Sequence, residues 1–354
     1  MDRSFPVSVS VHERAEYGLT VRHDCHKMTN LIMKALVTGG TGFIGSHLVE
    51  HLSTQNAEVY ALVRDRRRLR FLDKRAAKLI EGDLFNVPAL PSDLNCVFHC
   101  AGLTKTHKSA DYYTVNHRGT ASFFTAIEQQ GHRPRLVYLS SFSACGPSLG
   151  NRPRCESDSP APVTSYGKSK LLGEQETLRR KRVFQTTVVR VGAVYGPRDR
   201  DFLNLFRLVR FGVLPTVGLK ERRLTICYIK DLVRALALVA QSDFESGEIF
   251  NIGDPIPATM EGIGRAAGRA IGRRPKPIPI PLPLAFAVVT TFELVRFLSK
   301  QPNIINRDKY REYCQPGWVA DVSKAREKLM FTTRYSLDEG IRETGDWYRA
   351  NGWL

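Results

Sequence analysis

The chain is expected to fold as an α/β protein, a doubly wound parallel sheet followed by a smaller C-terminal lobe. Three features predict this. A short apolar run breaks into a glycine turn and at once into helical periodicity; further short apolar runs alternate with helical stretches; and 354 residues suffice for one large domain or two lobes with a substantial core.

The first feature occupies residues 34–48. Ala35 to Val37 reads as a buried parallel strand, and Phe43, Ile44, Leu48 and Val49 follow helical spacing. Between them Gly39, Gly42 and Gly45 recur at every third position. Such glycines allow a tight turn, close backbone approach of a pyrophosphate, and close packing of helix on strand, with the anion held at the helix N-terminus. Gly39, Gly42, Phe43, Ile44 and Gly45 are therefore candidate dinucleotide-binding residues. A glycine-rich turn without a ligand shares the bare pattern, so the rest of the chain must decide.

The totals narrow the class. Fifty-two basic against 35 acidic residues give a net charge of +17, which permits attraction to phosphorylated ligands, polyanions or acidic membrane surfaces. No nucleic-acid motif accompanies the charge, so a nucleic-acid partner is not expected. Seven cysteines, odd in number and without paired spacing, argue for a reducing compartment, and a cytoplasmic location is expected. Residues 1–32 lack both a secretory core and sustained periodicity and read as a disordered extension, with Met28 or Met33 as alternative starts. His23, Asp24, Cys25 and His26 are adjacent rather than spaced as ligands, and no metal is expected.

Residues 58–64 form the next strand, and its end bears on cofactor choice. An acidic residue there would bind the ribose 2′-hydroxyl of NAD, whereas an arginine suits the 2′-phosphate of NADP. Arg64 fills the corner, Asp65 follows, and Arg66, Arg67 and Arg68 add charge, so NADP is favoured with NAD left open. The arginines from 64 to 75 read equally as a solvated helix face. A third strand, 77–80, leads to Asp83 and Leu84, with Asp83 placed to accept from an adenine amino group. A fourth, 96–102, ends in the small residues Ala101 and Gly102, against which a ligand can lie. Asn116 opens a helix to about Gln130, and the strand 135–139 ends at Ser140, Ser141 and Ser143.

Ser165 reads as the N-cap of the following helix, which carries Tyr166 and Lys170 four residues apart on one face. A free phenol titrates near ~10. A neighbouring ammonium favours the phenolate, so the pair could pass a proton at neutral pH. Ser141 is the expected hydroxyl that orients a substrate oxygen, with Ser143 its rival.

The ordered motifs Thr38-Gly39-x-x-Gly42-x-x-Gly45, Gly82-Asp83-Leu84, Val97-Phe98-His99-x-Ala101, Asn116-x-x-Gly119-Thr120, Ser140-Ser141, Tyr166-x-x-x-Lys170 and Arg190-x-x-x-Val194-Tyr195-Gly196-Pro197 resemble the extended short-chain dehydrogenase/reductase family. That group contains the NAD-dependent epimerases and dehydratases, dihydroflavonol reductases and 3β-hydroxysteroid dehydrogenases. The resemblance spans about 33–354. It implies a Rossmann sheet binding NAD(P), with Tyr166 as acid/base and as a cofactor contact, Lys170 also holding the nicotinamide ribose, and Ser141 polarising the carbonyl. A homodimer through a four-helix bundle is a common assembly of the family. Val191 and Cys145 depart from the family's usual proline and tyrosine.

The expected cofactor domain spans 33–200 and is completed by 224–254; residues 201–223 and 255–354 form the substrate lobe. The lobe opens with a helix at 202–211, while a strand at 224–229, a helix through Ala240 and a strand at 248–252 return the chain to the cofactor domain. Nucleotide-sugar members carry a diphosphate-binding arginine seven places before the aspartate matching Asp231, where this chain has Leu224, although Arg222 and Arg223 are near. Prolines exclude helix up to Pro283. The apolar helix 284–298 that follows, with Glu293 and Arg296 inside it, is too short to span a bilayer, and reads either as packed on the core or as a lid over a lipid-like substrate. The layout resembles the steroid-dehydrogenase and flavonol-reductase branch. It points to hydride transfer between nicotinamide and a secondary alcohol or ketone on a hydrophobic small molecule, steroid-, terpenoid- or flavonoid-like. A nucleotide-sugar epimerase or dehydratase with retained NAD is the alternative, and a non-catalytic NADP-binding module a third.

Overall fold

The computed structural model describes residues 32–106, 108–150, 152–218, 221–296 and 307–354. Apart from Ile32, the expected N-terminal extension with its His23–His26 cluster lies outside them, as do residues 297 and 298 of the apolar helix.

Six short strands lead the main sheet: β1 (Lys34–Thr38), β2 (Glu58–Val63), β3 (Lys78–Glu81), β4 (Cys96–His99), β5 (Arg135–Leu139) and β6 (Thr186–Val191). Four strands lie outside it, β7 (Ala193–Tyr195), β8 (Val213–Val217), β9 (Arg223–Leu224) and β10 (Ile226–Tyr228), and then β11 (Glu248–Ile252) closes it. The order is β11-β6-β5-β4-β1-β2-β3, with every pairing parallel. The chain therefore reverses direction across the sheet between β1 and β4, and the crevice beyond their C-terminal ends is where an open α/β sheet binds its ligand. Two further strands, β12 (Ala258–Thr259) and β13 (Lys276–Ile280), pair with β9 and β8.

Alternation along the strands builds two cores. Ala35, Val37, Phe98, Val137 and Val189 pack with α1 (Phe43–Thr54), while Leu36, Val97, Leu136 and Val188 pack on the opposite side. The second core is filled from a helical run of three parts, α2 (Ser109–Tyr112), a π-helical stretch at Tyr113–Gly119 and α3 (Thr120–Gln129), which contributes Phe123, Phe124 and Ile127. Both faces of the central strands are covered, which is why they read as unbroken apolar runs. The short α4 (Phe142–Cys145) and the long α5 (Ser165–Leu178) follow β5, and α6 (Asp201–Arg210) follows β7. Helix α7 (Ile229–Gln241) adds Leu232, Ala235, Leu236 and Val239 to the first core. The chain ends through α8 (Met260–Ala270), α9 (Leu282–Arg296), α10 (Arg307–Tyr313), α11 (Ser323–Leu329) and α12 (Leu337–Ala350).

Several local expectations change. The helix expected from Asn116 starts at Ser109, and Asn116 sits in its π-helical stretch, where a widened turn re-aims side chains. The expected strand 224–229 splits into β9 and β10. The N-cap of α5 is Thr164, whose Oγ1 accepts from Gly167 N at 3.0 Å; Ser165 is the first helical residue. The arginine-rich 64–75 segment is a series of turns: Asp65 and Asp73 accept from the N–H groups of Arg67 and Arg75, and Leu69 and Leu72 are buried beneath. Pro283 lies inside the first turn of α9, where a missing N–H leaves no bond unmade, and the prolines before it form β13. Among the described residues no helix is long and apolar enough to cross a membrane.

Candidate active site

The glycine turn is held open toward the crevice. Gly39 has φ +71°, and a Cβ there would stand 2.8 Å from Ala101 N, so only glycine fits between β1 and the end of β4. At Gly45 a Cβ would come within 2.3 Å of Gly39 O, which is the close packing of helix on turn. Gly42 differs: a Cβ would meet only Gly39 O, at 3.2 Å. Gly42 is also the N-cap of α1 and carries no side chain to cap it, leaving the first N–H groups of Phe43 and Ile44's helix without a side-chain partner. An uncapped helix N-terminus behind an open glycine fits a pyrophosphate.

Ala101 is fixed from behind. Its N–H donates to Thr38 Oγ1 at 3.1 Å, and that hydroxyl donates to His99 Nδ1 at 2.8 Å. His99 Nε2–H then donates to Thr120 Oγ1 at 3.0 Å, whose hydroxyl donates to Asn116 O at 2.9 Å. Full burial pulls the His99 imidazole down to about 3, so it stays neutral and serves as a rigid link. Asn116 closes the same loop from the other side, accepting from Leu103 N at 2.7 Å and donating to Leu103 O and Ser169 Oγ, both at 2.9 Å.

Lys170 is almost fully buried. Its Nζ donates to Leu139 O at 2.6 Å and lies 4.2 Å from the centre of the Tyr138 ring. Burial lowers the ammonium to about 8, and the Glu174 carboxylate one turn further along α5 opposes part of that fall. A Cβ on Gly102 would stand 3.3 Å from Asn116 Oδ1 and 3.7 Å from this Nζ, so the missing side chain after β4 lets the backbone come close to both groups. Tyr166, one turn earlier, is half-buried and meets Tyr112 edge to face at 5.8 Å. Ser141 is the N-cap of α4, its Oγ accepting from Ser143 N at 3.2 Å, which leaves its hydroxyl hydrogen to donate. The two elements meet tightly, for a Cβ on Gly167 would lie 2.2 Å from Ser143 O. Ser141, Tyr166 and Lys170 thus come from elements packed directly on one another.

At the β2 corner Arg64 is exposed, and its charge reaches Asp83. Asp65 faces its own arginines, accepting from Arg67 N at 2.8 Å and pairing with Arg68 at 3.6 Å. One Asp83 oxygen accepts from Phe85 N and Asn86 N, at 2.7 and 2.8 Å, which holds its carboxyl below the usual range. Leu84 packs on Gly119, where a Cβ would leave 3.0 Å. On the far side, Leu224 is half-buried between β12 and Trp318. The guanidinium of Arg222 donates to the Gln315 and Val217 carbonyls, and Arg223 is exposed beside Glu221.

Sequence reasoning missed two groups. Asn116 was read as a helix opener; its placement by a π-helical stretch leaves no sequence period to find. Glu174 and Arg190 form a buried pair joined by Ser140; Arg190 and Ser140 stand in the motifs without a role, and the signal for Glu174 was an acidic residue four places after Lys170.

A doubly wound sheet, a glycine turn at its switch point and a Tyr-x-x-x-Lys helix define a nicotinamide-dinucleotide enzyme. The chain belongs to the NAD dependent epimerase/dehydratase family, which its residues 35–253 match. Similar proteins span its chemistry. A ceramide reductase of Caulobacter vibrioides is 28% identical over 326 residues, covering 90% of this chain and 95% of that one. A 3 beta-hydroxysteroid dehydrogenase/Delta 5-->4-isomerase of Mycobacterium tuberculosis is 26% identical, covering 88% and 90%. Among solved structures, MoeE5 in complex with UDP-glucuronic acid and NAD is 26% identical, with a TM-score of 0.71, covering 90% of this chain and 99% of that one.

Proposed function

We propose that this enzyme is an NADP-preferring oxidoreductase interconverting a secondary alcohol and a ketone on a hydrophobic, lipid-like molecule. The observation that carries the substrate class is Arg222: it is committed to two backbone carbonyls, and Leu224 occupies the place where nucleotide-sugar members present an arginine. Arg223, exposed beside Glu221, is the arginine left there to meet a sugar diphosphate. The ceramide reductase and the steroid dehydrogenase among its relatives act, by their names, on molecules of the proposed kind.

NAD(P), when bound, supplies or accepts the hydride. Gly39, Gly42, Phe43, Ile44 and Gly45 would hold its pyrophosphate, Asp83 and Leu84 its adenine side and Arg64 a 2′-phosphate, with Ala101 and Gly102 as further contacts. Asp65, turned onto Arg67 and Arg68, is poorly placed to receive a free ribose hydroxyl, which favours NADP. Tyr166 gives the substrate oxygen a proton in reduction and takes it back in oxidation. Lys170 stabilises the phenolate between those steps. Ser141 donates to the same oxygen. The cofactor domain over 33–200 and 224–254, with the remainder as substrate lobe, is part of this reading.

The test is a titration of the purified chain with NADPH and NADH, followed by NADPH consumption with long-chain keto-amides and keto-steroids. NADPH should bind at least about tenfold tighter, about 1.4 kcal/mol, with the preference lost in Arg64→Ala. A second reading, a nucleotide-sugar epimerase with retained NAD, has the likeness to MoeE5 in its favour. Protein that purifies with NAD and epimerises a UDP-sugar would establish it and overturn the first.

A further inference from the structure

Helix α9 is apolar in nearly every described position, yet only one side is covered. Val289 is buried and Phe286 meets Tyr310 of α10 at 5.3 Å, but Leu284, Phe286 and Val288 remain 55, 47 and 39% exposed. A helix apolar all round belongs in a core or against lipid. The exposed surface continues along the ribbon that leads to it. Ile278 of β13 is 46% exposed, and Lys276 N donates to Gly212 O at 2.9 Å, which sets Phe211, 79% exposed, beside the head of that strand. Pro277 and Pro279 lack the N–H groups an added strand would need, so this edge does not recruit a β partner.

The charge on the ribbon, the end of α6 and the start of α9 has one sign, the nearby acidic residues Glu293, Asp308 and Glu312 belonging to the end of α9 and to α10. No aspartate or glutamate occurs from Phe202 to Lys220 or from Gly262 to Phe292. Arg265 and Arg269 are paired with Glu261 and Asp338 from outside these stretches, whereas Arg207, Arg210, Arg273, Arg274 and Lys276 have no carboxylate partner among the described residues. Apolar side chains bordered by unneutralised cations are the composition of an interfacial membrane surface. We propose that α9, the β8–β13 ribbon and the end of α6 dock on an anionic lipid bilayer, with Leu284, Phe286, Val288 and Phe211 entering the headgroup boundary and the arginines meeting lipid phosphates.

Charge decides against a second copy of the chain as occupant. A two-fold contact through the ribbon and the end of α6 would bring Arg207, Arg210, Arg273, Arg274 and Lys276 against their own copies, with no carboxylate in residues 202–220 or 262–292 to separate them. The docked helix also lies one layer from the chemistry, because Asp308 of α10 accepts from Ser165 N, beside Tyr166, at 2.8 Å. An apolar substrate can then pass from the bilayer toward the site without crossing water. That last step rests on the reductase reading; the docking itself does not.

The experiment is co-sedimentation of the full chain with phosphatidylcholine vesicles, with and without phosphatidylglycerol, at low and high salt. Binding is expected only with phosphatidylglycerol, and should fall at least about tenfold in high salt and in Arg273→Glu/Arg274→Glu. Phe286→Asp, which also loses the contact with Tyr310, should weaken it in protein whose circular dichroism at the assay temperature matches the parent. Failure to bind anionic vesicles, binding that ignores both variants, or a dimer in sedimentation equilibrium that Phe286→Asp splits would each overturn the proposal. No cofactor or substrate enters, so this test and that of the reductase reading can fail separately.

Discussion

The Glu174 carboxylate accepts two hydrogen bonds from Arg190, at 2.9 and 2.7 Å, in a site where both side chains are almost wholly buried. Ser140 Oγ, the residue before Ser141, donates to the same carboxylate at 2.5 Å. One pair therefore ties β5, β6 and α5 together directly beneath Ser141 and one turn from Lys170. The pair thereby joins the strand that leads to Ser141 to the helix that carries Lys170.

Replacing one member strands the other charge in the core. Arg190→Met should cost about 3–5 kcal/mol in urea unfolding. Glu174→Gln keeps the shape but removes the charge that supports the Lys170 ammonium.

The pH dependence of kcat/KM reports the free enzyme. If the Lys170 ammonium is required, activity should fall as pH rises through about 8, the value to which burial lowers it. In Glu174→Gln that limb should move to lower pH. A profile flat to pH 10 in both proteins would remove Lys170 from the chemistry.

Tyr166→Phe keeps the ring that meets Tyr112 and removes only the hydroxyl. The expected loss in kcat is about 10²–10⁴-fold, far larger than any loss of NADPH affinity seen by titration. An unchanged kcat would transfer the proton to another group.

The glycines of the turn separate by substitution. Gly45→Ala forces a Cβ to within 2.3 Å of Gly39 O and should destabilise the fold by about 1–3 kcal/mol or more. Gly42→Ala meets only one oxygen, at 3.2 Å, so it should melt near the parent yet bind NADPH at least about tenfold more weakly.

His99 makes the sheet acid-sensitive. Its folded value of about 3 lies below the unfolded one of 6.5, so the unfolded chain binds the extra proton first. Stability is kept above pH 6.5 and lost as pH falls toward 3, by about 2 kcal/mol between pH 6.5 and 5. Urea midpoints at those two pH values should differ in the parent, and differ less in His99→Gln.

How much was legible depended on the range of the forces involved. The glycine turn, the bounds of β5 and β11 and the spacing of Tyr166 and Lys170 were readable because each rests on neighbours within one turn or one strand. Thr164 was missed as the cap because Ser165 and Thr164 are chemically alike, and only backbone geometry separates the residue before a helix from its first member. The start at Ser109 was hidden by the π-helical stretch, which breaks the period on which helix reading rests.

The sequence by itself determined the family, the α/β class and the residue types of the site, since these follow from local period and local chemistry. Tertiary structure decided what each charge is for. It turned Asp65 onto its own arginines, locked Arg222 to backbone, buried Glu174 against Arg190 and left the apolar α9 half uncovered. Those outcomes depend on which side chains meet across long stretches of chain, and burial, not residue type, sets whether a charge is neutralised, shifted or left for a partner.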